Sequence, residues 1–150
     1  MSLPMGRAMR EVFGETVSEL AGEDPRIVML DGDLGSSTKG DMFQRAHAER
    51  FFQMGIAEQN MLGVAAGMAS VGLIPYISTF VAFAVVRPLD QIRVLVAQPR
   101  LNVKITAGYA GLFTGRAGKT HQIVDDVSIM RAMPNMVIVS PADDTETAQV

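Results

Sequence analysis

Apolar positions recur along the chain in two rhythms, one helical and one continuous. From Arg7 to Leu20 the residues Met9, Val12, Phe13, Val17 and Leu20 fall on a helical period, and Gly22-Glu23-Asp24-Pro25 then breaks the pattern. Ile27-Val28-Met29-Leu30 is a short unbroken apolar run, as in a parallel strand covered on both faces. Similar runs predict strands at Phe51–Met54, Ile74–Thr79 and Leu101–Thr106, and Met136–Val139 predicts a last one. Helices are predicted over 55–70, over 125–133 and over part of 81–97, where Pro88 kinks the helix or marks its first turn. Ser140-Pro141-Ala142-Asp143 has the form of a helix start, and Asp143-Asp144-Thr145-Glu146 offers an alternative cap. Strands alternating with helices predict an α/β domain, doubly wound, with a mostly parallel sheet and helices on both faces. Polar residues gather after strand ends, at 31–38 and 108–121, on the carboxyl edge where such sheets bind ligands.

The helix over 55–70 is the most informative segment. Glu58 stands near its start and is followed by Gly63, Ala65, Ala66, Gly67 and Ala69. Side chains this small let other backbones approach on more than one side, which predicts a buried helix. A buried carboxylate is costly unless something pairs with it. Glu58 is therefore a candidate for meeting a cofactor that takes its proton or its hydrogen bond. The plainer alternative is a first-turn acid stabilised by the helix dipole.

Composition narrows the classes. A chain of 150 residues, 48% hydrophobic, can bury one real core. A net charge of −3 leaves no footprint for nucleic acid or an anionic membrane. The absence of cysteine excludes disulfides and thiolate metal sites. No apolar run approaches the ~18 residues of a membrane span, and no signal-peptide pattern is present, so a cytoplasmic setting is expected. Residues 1–9 read as a tag or a disordered start. His47, among Arg45, Glu49 and Arg50, reads as part of a solvated helix face.

Four motifs carry a resemblance. Gly55-Ile56-Ala57-Glu58-Gln59-Asn60-Met61, Ser78-Thr79-Phe80-Val81-Ala82-Phe83, Gly118-Lys119-Thr120-His121-Gln122 and the segment Met133–Asp143 follow one another as in the pyrimidine-binding domain of transketolases. The chain resembles that domain from about Arg10 to its end. The resemblance is closest to the separate C-terminal subunit of split transketolases and extends to 1-deoxy-xylulose-5-phosphate synthase. It implies thiamine diphosphate as cofactor and transfer of a ketol or similar unit from a ketose-type donor to an aldehyde. It implies that Glu58 shares a proton with a ring nitrogen of the aminopyrimidine, a task suited by burial that raises a carboxyl pKa. Phe80 and Phe83, three apart on one helical face, would pack against that ring, Phe83 as the stacking residue. Asp33 and Leu34 match an Asp-Leu pair near the cofactor. His121 would face the substrate and exchange protons with its hydroxyls. Arg10 and Ser37 would hold a substrate phosphate.

The resemblance also implies what lies elsewhere. Diphosphate and Mg²⁺ would be bound by an N-terminal diphosphate-binding subunit or domain, with no metal ligand in this chain and at least a dimer overall. Residues 10–150 would be the pyrimidine-binding domain of a longer subunit with a C-terminal domain, inactive as a single chain.

Two positions depart from the family pattern. Tyr109 stands where transketolases carry a histidine that helps hold phosphate, and Arg116-Ala117 where they carry an acidic pair. The substrate is therefore open, and a non-catalytic assembly subunit is a rival. Arg116 and Lys119 favour an anionic substrate. A nucleotide-binding reading of Gly115-Arg116-Ala117-Gly118-Lys119-Thr120 fails in register, because the phosphate-loop pattern needs glycine where Phe113 stands. Gly32-Asp33-Leu34 followed by Asn60 imitates a diphosphate and metal motif, but Leu34 replaces its last glycine.

Overall fold

The computed structural model describes residues 6–112 and 114–150. Residues 1–5 of the expected tag, and Phe113, lie outside the described residues. Strands β1 (Ile27–Asp31), β2 (Phe51–Gln53), β3 (Ile74–Phe80) and β4 (Lys104–Gly108) form one all-parallel sheet in the order β2-β1-β3-β4. Met29 sits opposite both Phe51 and Tyr76, and Ile77 lies between Leu30 and Ile105.

Alternate residues of β1 feed two separate cores. Ile27 and Met29 pack with Val17 and Ala21 of helix α1 (Met9–Glu23) and, beyond the short α2 (Gly35–Thr38), with Phe43 of α3 (Gly40–Ala46). Val28 and Leu30 pack on the other face with Met61, Leu62 and Ala65 of α4 (Glu58–Ser70). This double covering is why the strand reads as an unbroken apolar run. The connection from β1 to β2 moves one way along the sheet, and that from β2 to β3 moves the other way. Right-handed crossovers in opposite directions put their helices on opposite faces. The expected doubly wound α/β architecture is the one observed.

The chain then passes through α5 (Val81–Val86), breaks at Arg87-Pro88, and resumes in α6 (Leu89–Gln91) and a π-helical stretch over Ile92–Ala97. Pro88 thus separates two helices. Ile92 and Val96 join the α4 face of the core. Helices α7 (Asp126–Arg131) and α8 (Asp144–Gln149) follow β4. No helix among the described residues is long and apolar enough to cross a membrane.

Several expectations need correction. Helix α1 runs through Gly22 and stops at Asp24, whose N–H closes on the Leu20 carbonyl. Helix α4 is not buried all round, since Gln59, Asn60, Gly67 and Ser70 are exposed and a Cβ on Gly63 or Gly67 would meet nothing. Gly63 and Gly67 therefore serve no close approach within this chain, whereas Ala65 and Ala66 are buried in the core. Strand β3 extends to Phe80, so Phe80 and Phe83 do not share a helix. Met136–Val139 forms no strand, and Val137 is 84% and Val139 57% exposed. The run is apolar enough for a strand, but a strand exists only as half of a ladder, and the turn at Asn135 (φ 68°) delivers it unpaired. At the C-terminus the second cap forms. Asp143 Oδ1 accepts from the Glu146 N–H at 2.8 Å, and Glu146 Oε2 accepts from the Ala142 N–H at 2.7 Å, leaving Pro141 outside α8. His47 is half-buried; its Nε2 lies 2.9 Å from the Ser18 carbonyl, tying α3 to α1.

The tightest helix contact gives a test. A Cβ on Gly14 of α1 would sit 2.7 Å from the Lys39 carbonyl oxygen and 2.9 Å from Met42 Sδ. Alanine would otherwise favour the helix by about 1 kcal/mol. The clash with backbone outweighs this gain, and Gly14→Ala is expected to destabilise by about 1–3 kcal/mol, read from the denaturant midpoint.

Candidate functional site

The order of the strands opens a crevice between the carboxyl ends of β1 and β3, where connections leave in opposite directions. Glu58 enters it from α4. It is the first residue of that helix, and its side chain is only 4% exposed. The expected burial is found, together with a counter-charge that the sequence reading did not include. Arg87 Nη1 donates to Glu58 Oε1 at 2.6 Å, and the Arg87 side chain is 43% exposed. The neighbouring Gln59 side chain donates to the Arg87 carbonyl at 3.0 Å. The start of α4 and the end of α5 are thereby fastened together.

Aromatic rings form the facing wall. Phe83 lies at the start of α5, and Phe80 at the end of β3, with ring centroids 6.0 Å apart and planes within 17°. The two rings are neighbours after all, through a strand-to-helix junction. His121 meets Phe83 edge-on at 5.0 Å, and its Nδ1 lies 2.9 Å from Thr120 Oγ1. Arg87 Cζ sits 4.0 Å above the Phe83 ring centroid, within cation–π range. A cavity of about 220 Å³ is bounded by Gly32, Asp33, Leu34, Ile56, Glu58, Phe83, Arg87 and His121. A more open depression of about 430 Å³ lies between Val127 and Ser140, away from every candidate residue. The smaller cavity is the candidate site, because the buried acid, the aromatic wall and the histidine meet there.

A family model described as the transketolase pyrimidine-binding domain matches residues 5–150. The chain belongs to that family. It is 48% identical, over 96% of its length, to a Methanocaldococcus jannaschii protein described as a transketolase C-terminal section, of which it covers 46%. It is 39% identical, over 92% of its length, to a 6-deoxy-6-sulfo-D-fructose transketolase subunit of a Clostridium species, strain MSTE9, of which it covers 43%. Among solved structures it matches a split-gene transketolase in an inactive beta4 tetramer, with a TM-score of 0.83, 48% identity, and coverage of 96% of this chain and 46% of that one. The chain spans less than half the length of these relatives.

Within this pyrimidine-binding domain the remaining candidates fall into two places. Asp33 and Leu34 border the cavity on the loop after β1. Asp33 is exposed and left-handed (φ 65°), with its N–H on Gln53 Oε1 at 3.1 Å. Arg10 and Ser37 lie outside the cavity, but they do meet. Arg10 Nη1 reaches the Ser37 carbonyl at 3.5 Å and also donates to the Tyr109 hydroxyl, which itself donates to the same carbonyl at 3.2 Å. The Tyr109 ring packs on Phe80 at 4.3 Å. The departure from the family pattern thus joins the aromatic wall to the arginine. Arg116, Ala117 and Lys119 are exposed.

Three residues of this neighbourhood escaped the sequence reading. Arg87 carried one signal, an isolated charge closing the apolar run Val81–Val86. Gln53 carried none; its Oε1 accepts from the N–H groups of Asp33 and Gly55, and its Nε2 donates to Asp31 Oδ2 at 2.9 Å. Asp31 is fully buried at the end of β1, and its Oδ2 also accepts from the Leu34 N–H at 3.1 Å, while its Oδ1 has no partner. Burial pushes the Asp31 pKa above the ordinary carboxylate value, opposed by these hydrogen bonds.

The native state therefore holds the Asp31 proton to higher pH than the unfolded chain does. Its stabilising contribution is complete below the ordinary carboxylate range and is lost as pH rises through the folded pKa. Asp31→Asn keeps an acceptor for Gln53 and Leu34 but cannot ionise. Urea unfolding across pH should show this variant gaining stability over wild type as pH rises toward neutrality, with no such gain below the carboxylate range.

Proposed function

We propose that this chain is the pyrimidine-binding half of a thiamine-diphosphate-dependent, transketolase-type transferase. The observation that carries the reading is the convergence of Glu58, Phe83 and His121 on one small cavity at the sheet's switch point. The residues fit an aminopyrimidine. A flat aromatic face stands beside a buried acid, and Leu34 and Ile56 add apolar wall.

Held there, thiamine diphosphate would supply the carbon nucleophile that ketol transfer needs. The chain's own residues prepare that chemistry. Glu58 places a carboxyl oxygen against a ring nitrogen and holds the proton they share. Phe83, supported by Phe80, orients the ring and excludes water from it. Asp33 and Leu34 close the cavity from the β1 loop. His121, beside Phe83 on the aromatic wall, exchanges protons with substrate hydroxyls. Arg10, with the Ser37 segment and Tyr109, offers a cationic bay for the anionic end of a sugar-phosphate-like substrate. Diphosphate and Mg²⁺ belong to an N-terminal subunit or domain, in an assembly of at least two chains. The beta4 tetramer of the split-gene relative, and the relatives' greater length, support that arrangement.

Two measurements test the reading. Glu58→Gln in the complex reconstituted with the diphosphate-binding partner should slow turnover roughly 10²–10⁴-fold, the range for loss of a general acid–base group. It should also slow deuterium exchange at the thiazolium carbon of bound thiamine diphosphate. Unchanged turnover would favour the assembly-subunit alternative that Tyr109 and Ala117 raise. The purified single chain should bind the cofactor weakly and turn nothing over; robust activity from it would contradict a two-chain site.

A further inference from the structure

We propose that Arg87 is a built-in stand-in for the aminopyrimidine. Without ligand its guanidinium fills the place between Glu58 and Phe83, and entry of the ring displaces it. The inference rests on the cofactor reading given above.

A guanidinium is flat and cationic, with N–H donors in its own plane. Those are the features a protonated aminopyrimidine needs in order to lie on an aromatic face and bond a carboxylate. Arg87 satisfies both partners at once, with Nη1 2.6 Å from Glu58 Oε1 and Cζ 4.0 Å over the Phe83 centroid. A ring face covered at that distance leaves no space for a second stacked plane. Cofactor and guanidinium thus compete for one acid and one aromatic face.

The surroundings favour departure of Arg87 over departure of its partners. Glu58 and Phe83 are buried, whereas the Arg87 side chain is 43% exposed and opens onto solvent. Its backbone is held by the Gln59 hydrogen bond and by Pro88 immediately after it. Release therefore needs only side-chain rotation. The arrangement has a purpose when no ligand is present, since Glu58 would otherwise be a buried charge without a partner. Its consequence is a lowered apparent affinity, because only molecules with the pair open can accept the ring.

Titration calorimetry of thiamine diphosphate with Mg²⁺, using the reconstituted complex, tests this. Arg87→Met keeps the aliphatic stem and removes the planar charge. It should tighten binding roughly tenfold, the factor expected if about nine in ten wild-type molecules hold the closed pair. Arg87→Lys keeps charge without the planar fork and should tighten binding by a smaller factor. Should Arg87→Met fail to fold, Arg87→Lys decides by the same criterion. Equal or weaker binding in the folded variants would overturn the proposal, for that is what an arginine contacting the bound cofactor would give. A wild-type complex that takes up no thiamine diphosphate would sink the cofactor reading and this proposal together.

Discussion

Strands β1 and β3 are neighbours whose connections leave in opposite directions, and the gap this opens at their carboxyl ends governs the rest of the site. Because both sheet faces are covered by helices, an approaching ligand has access to the sheet at its ends, beyond the strands. The β1 loop forms one lip of the gap, and the β3–α5 junction forms the other. Helix α4, which carries Glu58, must start beside them because it is the crossover between β2 and β3. The acid, the aromatic wall and the loop converge from a single topological cause.

Closing the edge of a parallel sheet leaves polar groups that need partners, and their satisfaction shapes the loop below the cavity. Asp31 receives the Leu34 N–H and the Gln53 amide. Ser78 donates to Thr38 Oγ1 at 2.8 Å, and Thr38 passes its own hydroxyl to the Leu34 carbonyl at 3.2 Å. Each of these contacts ends on the segment that positions Asp33, Leu34 and Ser37. Asp31 Oδ1 and Thr79 Oγ1 remain without partners, so this polar layer is incompletely satisfied under the site. Buried groups of this kind cost stability, and they sit at the carboxyl ends of β1 and β3, next to Gly32 of the cavity lining.

The two departures from the family pattern have different physical weights. Ala117 leaves an exposed loop position without a charge. Tyr109 makes a structure of its own, with its ring on Phe80 and its hydroxyl between Arg10 and Ser37. A left-handed backbone at this residue (φ 64°) turns the side chain into that bridge. Arg10, the Ser37 segment and the aromatic wall are consequently one connected unit, and a change at Tyr109 would be felt on both sides.

The alternation of short apolar runs with helical periods determined the α/β class, the strands β1 to β4 and the buried acid of α4, because each follows from local burial and period. The motifs around Glu58, Phe83 and His121 were visible through their resemblance to a family pattern, which survives in single short contiguous segments. What needed the tertiary structure was every relation between distant segments. Met136–Val139 is apolar but unpaired, since a ladder depends on a second strand brought alongside. Phe80 and Phe83 adjoin through a strand end, which a count of three could not distinguish from a helix. Arg87 reaches Glu58 across a gap of 29 in sequence, and Arg10 reaches Tyr109 across 99. Such pairings are set by the direction in which each crossover travels, and periodicity within one segment does not encode that direction.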